Sequence, residues 1–249
     1  MARYRESLDW LQELQIPSYA KIFIYNKGDS FPSPDHWSVI PLPNLGQCWG
    51  TYMTHISNFY GLFADTTLFV NGSCMKMEEK KDAFLSLFND IFIKKYNFSQ
   101  PKLHLDLVPY EIKDFQLDSW ISNTVENRGG LYTTASNRPL NKWWKIHFPN
   151  LNLPDTKYVS HLSTFALSSD QLYLYPKDLY TGIQKDLQRS PLQEEAHYLE
   201  RLVPFIWFRP TTMNLAEELY RKHNYNTLIN LFWYFVLFII LLYFLFKKN

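Results

Sequence analysis

The stretch DTTLFVNG, residues 65–72, decides the fold that the sequence predicts. Its residues 66–70 are β-branched or apolar, and Asn71-Gly72 ends the run with a pair that favours turns. A strand that is apolar at successive positions is typical of a sheet covered on both faces. We therefore expect residues 66–70 to form a central strand whose side chains are buried on both sides.

Helices and strands alternate on either side of this strand. The pattern before it predicts elements at 7–14 (helix), 21–28 (strand), 38–42 (strand) and 51–62 (helix). The pattern after it predicts a helix at 75–96, a strand at 158–167, a helix at 176–187, and a helix that Ser190 caps and that ends or kinks near Pro204. Such alternation indicates an α/β domain with one mixed, mostly parallel sheet covered by helices.

The composition is that of a folded chain with little net charge. Of the 249 residues, 46% are hydrophobic and 18% are aromatic, which is enough to form a sizeable core. The formal net charge is +1 and no long basic run is present, so a nucleic-acid partner is not expected. The two cysteines, Cys48 and Cys74, make a poor disulfide framework and favour a reducing compartment.

An uncharged apolar segment, LINLFWYFVLFIILLYFLF, occupies residues 228–246. As a helix, about 19 residues would cover roughly 29 Å, close to the hydrocarbon thickness of a bilayer. The alternative is a buried core helix, which would rarely be apolar on every face. We therefore predict a soluble domain at 1–210, a juxtamembrane helix at 211–227, a transmembrane helix at 228–246 and a short tail at 247–249.

This organisation predicts a single-pass membrane protein with a C-terminal anchor, whose partner is the lipid bilayer. An anchor at the end of a chain leaves the ribosome only after translation stops, so its insertion follows synthesis. The N-terminal domain is then expected to face the cytosol. The basic residues on the two sides of the span are nearly balanced, so charge does not decide the orientation.

Three polar segments follow the early strands, at the place where ligands bind in open α/β sheets. They are 25–28, 44–47 and 71–73. Backbone N–H groups near Gly50 and Thr51, where a helix is expected to start, would receive a phosphate, and Lys27 would add a positive charge. The alternative is ordinary turn chemistry, because Asn and Gly favour turns in any case.

A second constellation lies on the helix predicted after Ser190. Glu194, His197 and Arg201 are three and four residues apart, so they share one helical face. Glu200 follows three positions after His197. A carboxylate beside a histidine can act as an acid/base pair, and an arginine can bind phosphate. The alternative is a salt-bridged surface face, or a helix whose histidine and arginine satisfy buried carbonyl groups.

The chain resembles a glycosyltransferase-like family of bacteria and fungi, related to the nucleotide-diphospho-sugar transferases, in segments that occur in the family's order. They are ARYRESLDWLQEL (2–14), IYNKG (24–28), LPNLGQCWGTY (42–52), the DTTLFVNG stretch and EEAHYLERLVPFIW (194–207). The resemblance therefore covers most of the predicted soluble part. It implies a GT-A-like fold, a nucleotide sugar as donor and transfer of the sugar to an acceptor.

The resemblance also implies which residues form the site. Acid/base catalysis would fall to His197, together with Glu200 or Glu194. The groups that bind the nucleotide or its phosphates would be Arg3, Tyr25, Asn26, Lys27, Gly46, Thr51, Tyr52, Asn71, Gly72 and Arg201. No residue is assigned as a metal ligand.

Departures from the family pattern bear on catalysis. Gln47-Cys48 stands where the family has Arg-Glu, so a cation and a carboxylate are both lost. No Asp-x-Asp pair follows the central strand, where enzymes that use sugar nucleotides often hold Mg²⁺ or Mn²⁺, so a divalent metal stays an open question. Two hypotheses follow: a membrane-tethered transferase, or a catalytically degenerate member that acts as a membrane-bound binding or structural protein in a protein assembly.

Overall fold

The computed structural model describes residues 1–96, 98, 104–105, 112–122, 130–153, 158–159 and 163–208. Met1–Trp207 form one compact unit. A second unit, Phe208–Asn249, lies outside the described residues except for Phe208. The predicted juxtamembrane helix (211–227), transmembrane helix (228–246) and tail (247–249) therefore fall on residues that the structure does not describe.

The first three strands form a parallel sheet in sequence order. They are β1 (Ala2–Arg3), β2 (Ile22–Asn26) and β3 (Trp37–Pro41). β2 lies in the middle, so that Tyr25 pairs with Ala2 on one side and with Ile40 on the other. Ile24 and Tyr25 are almost fully buried, as expected of a central strand that is covered by helices.

The central strand of the prediction is β4 (Thr66–Phe69), and it pairs antiparallel with β8 (Phe165–Ser168). A parallel bridge between Ala2 and Asn71 connects the end of β4 to β1. Its hydrogen bonds run from Ala2 N to Val70 O (2.9 Å) and from Gly72 N to Ala2 O (2.7 Å). This bridge brings the carboxyl ends of β1, β2 and β4 to the same side of the unit.

The remaining strands are two residues long and form two further pairs. β5 (His104–Leu105) pairs antiparallel with β7 (Tyr158–Val159), and β6 (Tyr132–Thr133) pairs parallel with β9 (Leu192–Gln193).

The described residues contain seven α-helices, a π-helical turn and a 3₁₀ turn. Their bounds are α1 Asp9–Glu13, α2 Gln47–Asn58, α3 Glu78–Phe88, the π turn Asn89–Ile93, the 3₁₀ turn Ile112–Asp114, α4 Leu140–His147, α5 Ser169–Leu172, α6 Lys177–Asp186 and α7 Glu194–Trp207. α5 starts with a capping box, in which the Ser168 hydroxyl accepts a hydrogen bond from Gln171 N and the Gln171 side-chain oxygen accepts one from Ser168 N.

The predicted fold class, one mixed, mostly parallel sheet with a C-terminal transmembrane helix, is wrong. Strand pairing is divided between one three-stranded parallel sheet and three two-stranded sheets, two of which are antiparallel. The apolar run in β4 identified a strand correctly, but such a run does not fix the direction of the neighbouring strand. Over the part of the chain that the structure describes, no helix has the length and apolar character needed to cross a membrane.

Several predicted elements are confirmed with shifted ends, and the start of α7 differs for a clear reason. Ser190 does not cap this helix, because its hydroxyl donates to Leu192 O at 2.7 Å and β9 follows. α7 therefore starts at Glu194, and it continues past Pro204 to Trp207 instead of ending there. The helix predicted at 75–96 is also shorter than expected, and it ends in the π turn.

An aromatic cluster around Phe69 of β4 and Phe165 of β8, which are cross-strand partners, lies in the core. Phe69 stacks on Phe165 with 5.0 Å between ring centroids, and Phe165 also stacks on Trp49 (5.4 Å) and Trp207 (5.6 Å). Phe69 and Val70 are buried as predicted, with 3% and 4% exposure. Thr67 and Leu68 are only half-buried, so the expectation of burial on both sides holds for the end of the strand alone.

We predict that Phe69→Ala lowers the free energy of unfolding by about 3 to 5 kcal/mol, because it leaves a cavity beside Phe165. The matched control is Leu62→Ala, whose side chain is 77% exposed and whose removal should change stability little. Urea unfolding of the two variants measures the difference. Equal stability losses in both would show that β4 is not part of the core.

Candidate functional site

The main chain enters α2 in an unusual conformation at the second of the three polar segments. Gly46 and Gln47 both have positive φ, 64° and 51°. A Cβ atom on Gly46 would lie 2.3 Å from Leu187 O, so this position requires glycine. Gly46 N donates to Ser190 O (2.9 Å) and Gln47 N donates to Pro191 O (3.2 Å). These amides at the start of the helix therefore bind the chain that leads into α7, not an anion.

The predicted anion site near Gly50 and Thr51 is wrong, because both residues lie inside α2. Gly50 N donates to Gly46 O at 2.7 Å within the helix. Thr51 is 1% exposed, and its hydroxyl has no hydrogen-bond partner among the described residues. The helix starts four residues earlier than the apolar spacing predicts, because Gly46 supplies the turn.

Lys27, the predicted phosphate-binding cation, stabilises the main chain at the start of α2. Its Nζ donates to Leu45 O at 2.6 Å and, through a shorter contact, to Gln47 O. Burial lowers the pKa of Lys27 to about 8, so its positive charge is less strongly held than that of an exposed lysine.

Arg3 and Asn26 fix the loop that follows β2. Arg3 Nη1 donates to Asn26 Oδ1 (2.5 Å) and to Asp29 O (3.1 Å), and its Nε donates to Glu6 O (2.9 Å). The guanidinium carbon also lies 4.1 Å from the centroid of the Phe31 ring. Arg3 is only 7% exposed, and these contacts occupy most of its donors.

Tyr25 belongs to the core and not to an open pocket. Its hydroxyl lies 2.8 Å from His55 Nδ1, and its side chain is 1% exposed. Burial raises the pKa of Tyr25 to about 12 and lowers the pKa of His55 to about 4. The pair therefore consists of a neutral phenol and a neutral imidazole at ordinary pH.

Asn71 and Tyr52 meet at Ser163, a residue that the sequence gave no reason to select. Asn71 Nδ2 donates to Ser163 Oγ at 2.7 Å, and the Tyr52 hydroxyl donates to Ser163 O at 2.8 Å. A Cβ atom on Gly72, next to Asn71, would lie 3.0 Å from Glu6 Oε2, so glycine relieves a close contact with this side chain. The carboxyl end of β4 is thus joined to the segment that leads into β8.

Cys48 lies at the same place. Burial raises the pKa of its thiol to about 11, although a hydrogen bond with the Ser163 side chain acts in the opposite direction. The charge of Glu200 adds to the upward shift, and the charge of Lys27 opposes it. Cys48 is therefore within electrostatic range of both the second polar segment and α7. Its thiol is protonated at neutral pH and is a weak nucleophile.

Glu194, at the start of α7, is fully buried and fully hydrogen-bonded. Oε1 accepts from Leu117 N (2.8 Å) and from the Tyr198 hydroxyl (2.9 Å), and Oε2 accepts from Ala135 N (2.8 Å). Arg138 Nε completes the set at 2.9 Å from Oε2. The carboxylate has no lone pair left for a substrate, and it holds two loops against the helix.

His197 and Glu200 form a pair on the same helix. His197 Nδ1 lies 3.2 Å from Glu200 Oε2, and His197 is 5% exposed. Its other nitrogen, Nε2, is buried and has no partner in the described structure. The half-buried ring of Trp120 lies against the imidazole, with 4.8 Å between ring centroids. Together with Cys48, Ser163 and Asn71, this pair forms what we call the α7 site.

Arg201 is committed to its own helix and to a neighbouring ring. Its Nη1 donates to His197 O at 3.0 Å, and its guanidinium carbon lies 3.8 Å from the centroid of the Phe115 ring. This contact matches the alternative in which the arginine satisfies a carbonyl group.

Sequence reasoning missed two members of the α7 site, Cys48 and Ser163, and it missed Trp120, whose ring lies against His197. Cys48 directly follows the selected segment 44–47, so its position was within reach. Trp120 falls in a stretch without periodicity, and only its residue type marked it. No signal in the sequence distinguishes Ser163 from other serines.

Two other features lie outside the α7 site. Over the described residues, no group of three or more His, Cys, Asp or Glu side chains is arranged to hold a metal ion. A surface groove of about 520 Å³ lies between the 3₁₀ turn, α4 and residues 149–153, and it includes none of the predicted site residues. The groove therefore does not mark the predicted chemistry.

Comparisons of the chain with protein-family models, with curated proteins and with solved structures find no match. The resemblance to glycosyltransferase-like proteins therefore stays a prediction from the motifs. Assignment of a function must rest on the geometry of the site.

We predict that His55 makes the protein less stable in acid. Its pKa is lowered to about 4 in the fold, against 6.5 for a free histidine, so between these values the unfolded chain binds more protons. The free energy of unfolding should then fall as the pH drops, by up to roughly 3 kcal/mol between pH 7 and 4 from this group. Denaturant unfolding should show a shallower pH dependence in His55→Gln. Replacement of the exposed His36 by Gln is the control, and an unchanged slope in both variants would contradict the assignment.

Proposed function

We propose that this chain is a glycosyltransferase-like protein with a degenerate catalytic site, and that it acts as a binding or structural protein. The observation that supports this proposal is that the groups needed for sugar transfer are occupied by the chain itself.

The first such groups are cations. Transfer from a nucleotide sugar leaves a diphosphate, whose charge must be neutralised by positive groups or a metal. Lys27 and Arg3 instead donate to main-chain carbonyl oxygens and to Asn26. The cation that the family pattern places at position 47 is a glutamine here.

The second group is the carboxylate that would act as base. Glu194 accepts hydrogen bonds from four groups and is 0% exposed, so it has neither a free lone pair nor access to a substrate. A general base must come within hydrogen-bond reach of the proton that it removes. The second carboxylate of the family pattern, at position 48, is a cysteine whose thiol is protonated at neutral pH.

One observation favours the transferase as a second candidate. The His197–Glu200 pair has the arrangement of an oriented base, with a carboxylate at Nδ1 and an Nε2 atom that has no partner among residues 1–208 where the structure describes them. A nucleotide sugar is the candidate ligand under both hypotheses. The two other partners predicted from the sequence, the lipid bilayer and a protein assembly, stay predictions.

The variant His197→Ala distinguishes the two hypotheses. In a binding or structural protein we expect no nucleoside diphosphate to be released from nucleotide sugars, with or without Mn²⁺. The variant should lower the melting temperature, because Glu200 loses its partner at a cost of about 1 to 3 kcal/mol. Replacement of the exposed His36 by Ala should change neither quantity. Nucleoside diphosphate release that disappears in His197→Ala at an unchanged melting temperature would overturn the proposal.

A further inference from the structure

The imidazole of His197 carries a hydrogen-bonding nitrogen that nothing in the described structure uses. His197 is 5% exposed, Nδ1 is bound to Glu200, and Nε2 has no partner. A buried polar atom without a partner is disfavoured, so such an atom marks a place where another group can bind. Nε2 accepts a hydrogen bond in one protonation state and donates one in the other.

Trp120 lies directly on this imidazole. The two rings are 4.8 Å apart between centroids and tilted by 60°. Trp120 itself is half-buried, and the next residue, Ile121, is 74% exposed. The indole therefore lies between a buried imidazole and a stretch of chain that faces solvent.

The chain before Trp120 is anchored to α7 and to Arg138. Leu117 N donates to Glu194 Oε1 at 2.8 Å, and Asp118 Oδ1 lies 2.6 Å from Arg138 Nη2. On the other side, Ser122 is 6% exposed. Because the chain is held three residues before Trp120, rotation of the side chain is the simplest way for the indole to change position.

We propose that Trp120 is a gate that controls access from solvent to His197 Nε2. With the indole against the imidazole, the nitrogen is closed to ligands. When the side chain rotates, one hydrogen-bonding group of a ligand, such as a hydroxyl, reaches Nε2. The gate deepens the proposed function, because it says how a ligand enters the α7 site, but it does not depend on whether any sugar is bound or transferred.

Diethyl pyrocarbonate, which modifies accessible imidazole nitrogens, tests the gate on the full chain. Peptide mass mapping reports the rate at each histidine separately, and the exposed His36 is the internal reference. In the wild type, His197 should react much more slowly than His36. In Trp120→Ala, its rate should rise by about ten- to a thousandfold, since a minor open state is typically populated at about 0.1–10%.

Two controls keep the result interpretable. Ile121→Ala removes the neighbouring, exposed side chain and should leave the His197 rate unchanged. Cys74, whose side chain is 0% exposed, should stay unlabelled by a thiol reagent in every variant that is folded. If Trp120→Ala fails this check, Trp120→Leu, which keeps an apolar side chain, takes its place and should show a smaller increase.

The gate is overturned if His197 reacts as fast as His36 in the wild type. It is also overturned if a folded Trp120 variant reacts no faster than the wild type. Neither outcome would bear on the proposed function, because that proposal is tested by nucleoside diphosphate release and not by modification.

Discussion

The buried carboxylate of Glu194 is the interaction on which the arrangement around α7 depends. A charge without water is strongly disfavoured unless hydrogen bonds replace its hydration, and here four donors do so. Two are main-chain N–H groups, of Leu117 and Ala135, that lie far from Glu194 in sequence. Their loops must therefore be in place before the carboxylate is satisfied, and one of these loops carries Trp120.

Local sequence patterns predicted many of the helices and strands, but they did not predict which strands pair with each other. The strand at β2 and the helix after Pro176 appear where periodicity and proline placed them, because the signals are contained in consecutive residues. The direction of β8 beside β4 depends on residues about a hundred positions apart, so no local pattern contains it. The start of α7 was predicted wrongly because Ser190 is a residue type that often caps helices, whereas here its hydroxyl donates to Leu192 O.

The helix that carries Glu194 and His197 was predicted, whereas the partners of their side chains were not. Spacing alone placed Glu194 and His197 on one face of a helix, and the structure confirms the helix. Spacing does not show what the side chains bind, however. A lysine that could bind phosphate, or a carboxylate that could accept a proton, can equally well form hydrogen bonds with main-chain groups. Lys27 and Glu194 have such main-chain partners, whereas His197 keeps a nitrogen that has no partner in the described part of the chain. The difference lies in contacts between distant segments.

The free energy of unfolding of Glu194→Gln tests the central claim, that this carboxylate is structural, most directly. The amide would place N–H groups against N–H donors, so we expect a loss of about 3 to 5 kcal/mol, as for a broken buried ion pair. Glu200→Gln, at a partly exposed position on the same helix, should cost much less. Unchanged stability in Glu194→Gln, together with a lost ability to bind or turn over a nucleotide sugar, would contradict the account.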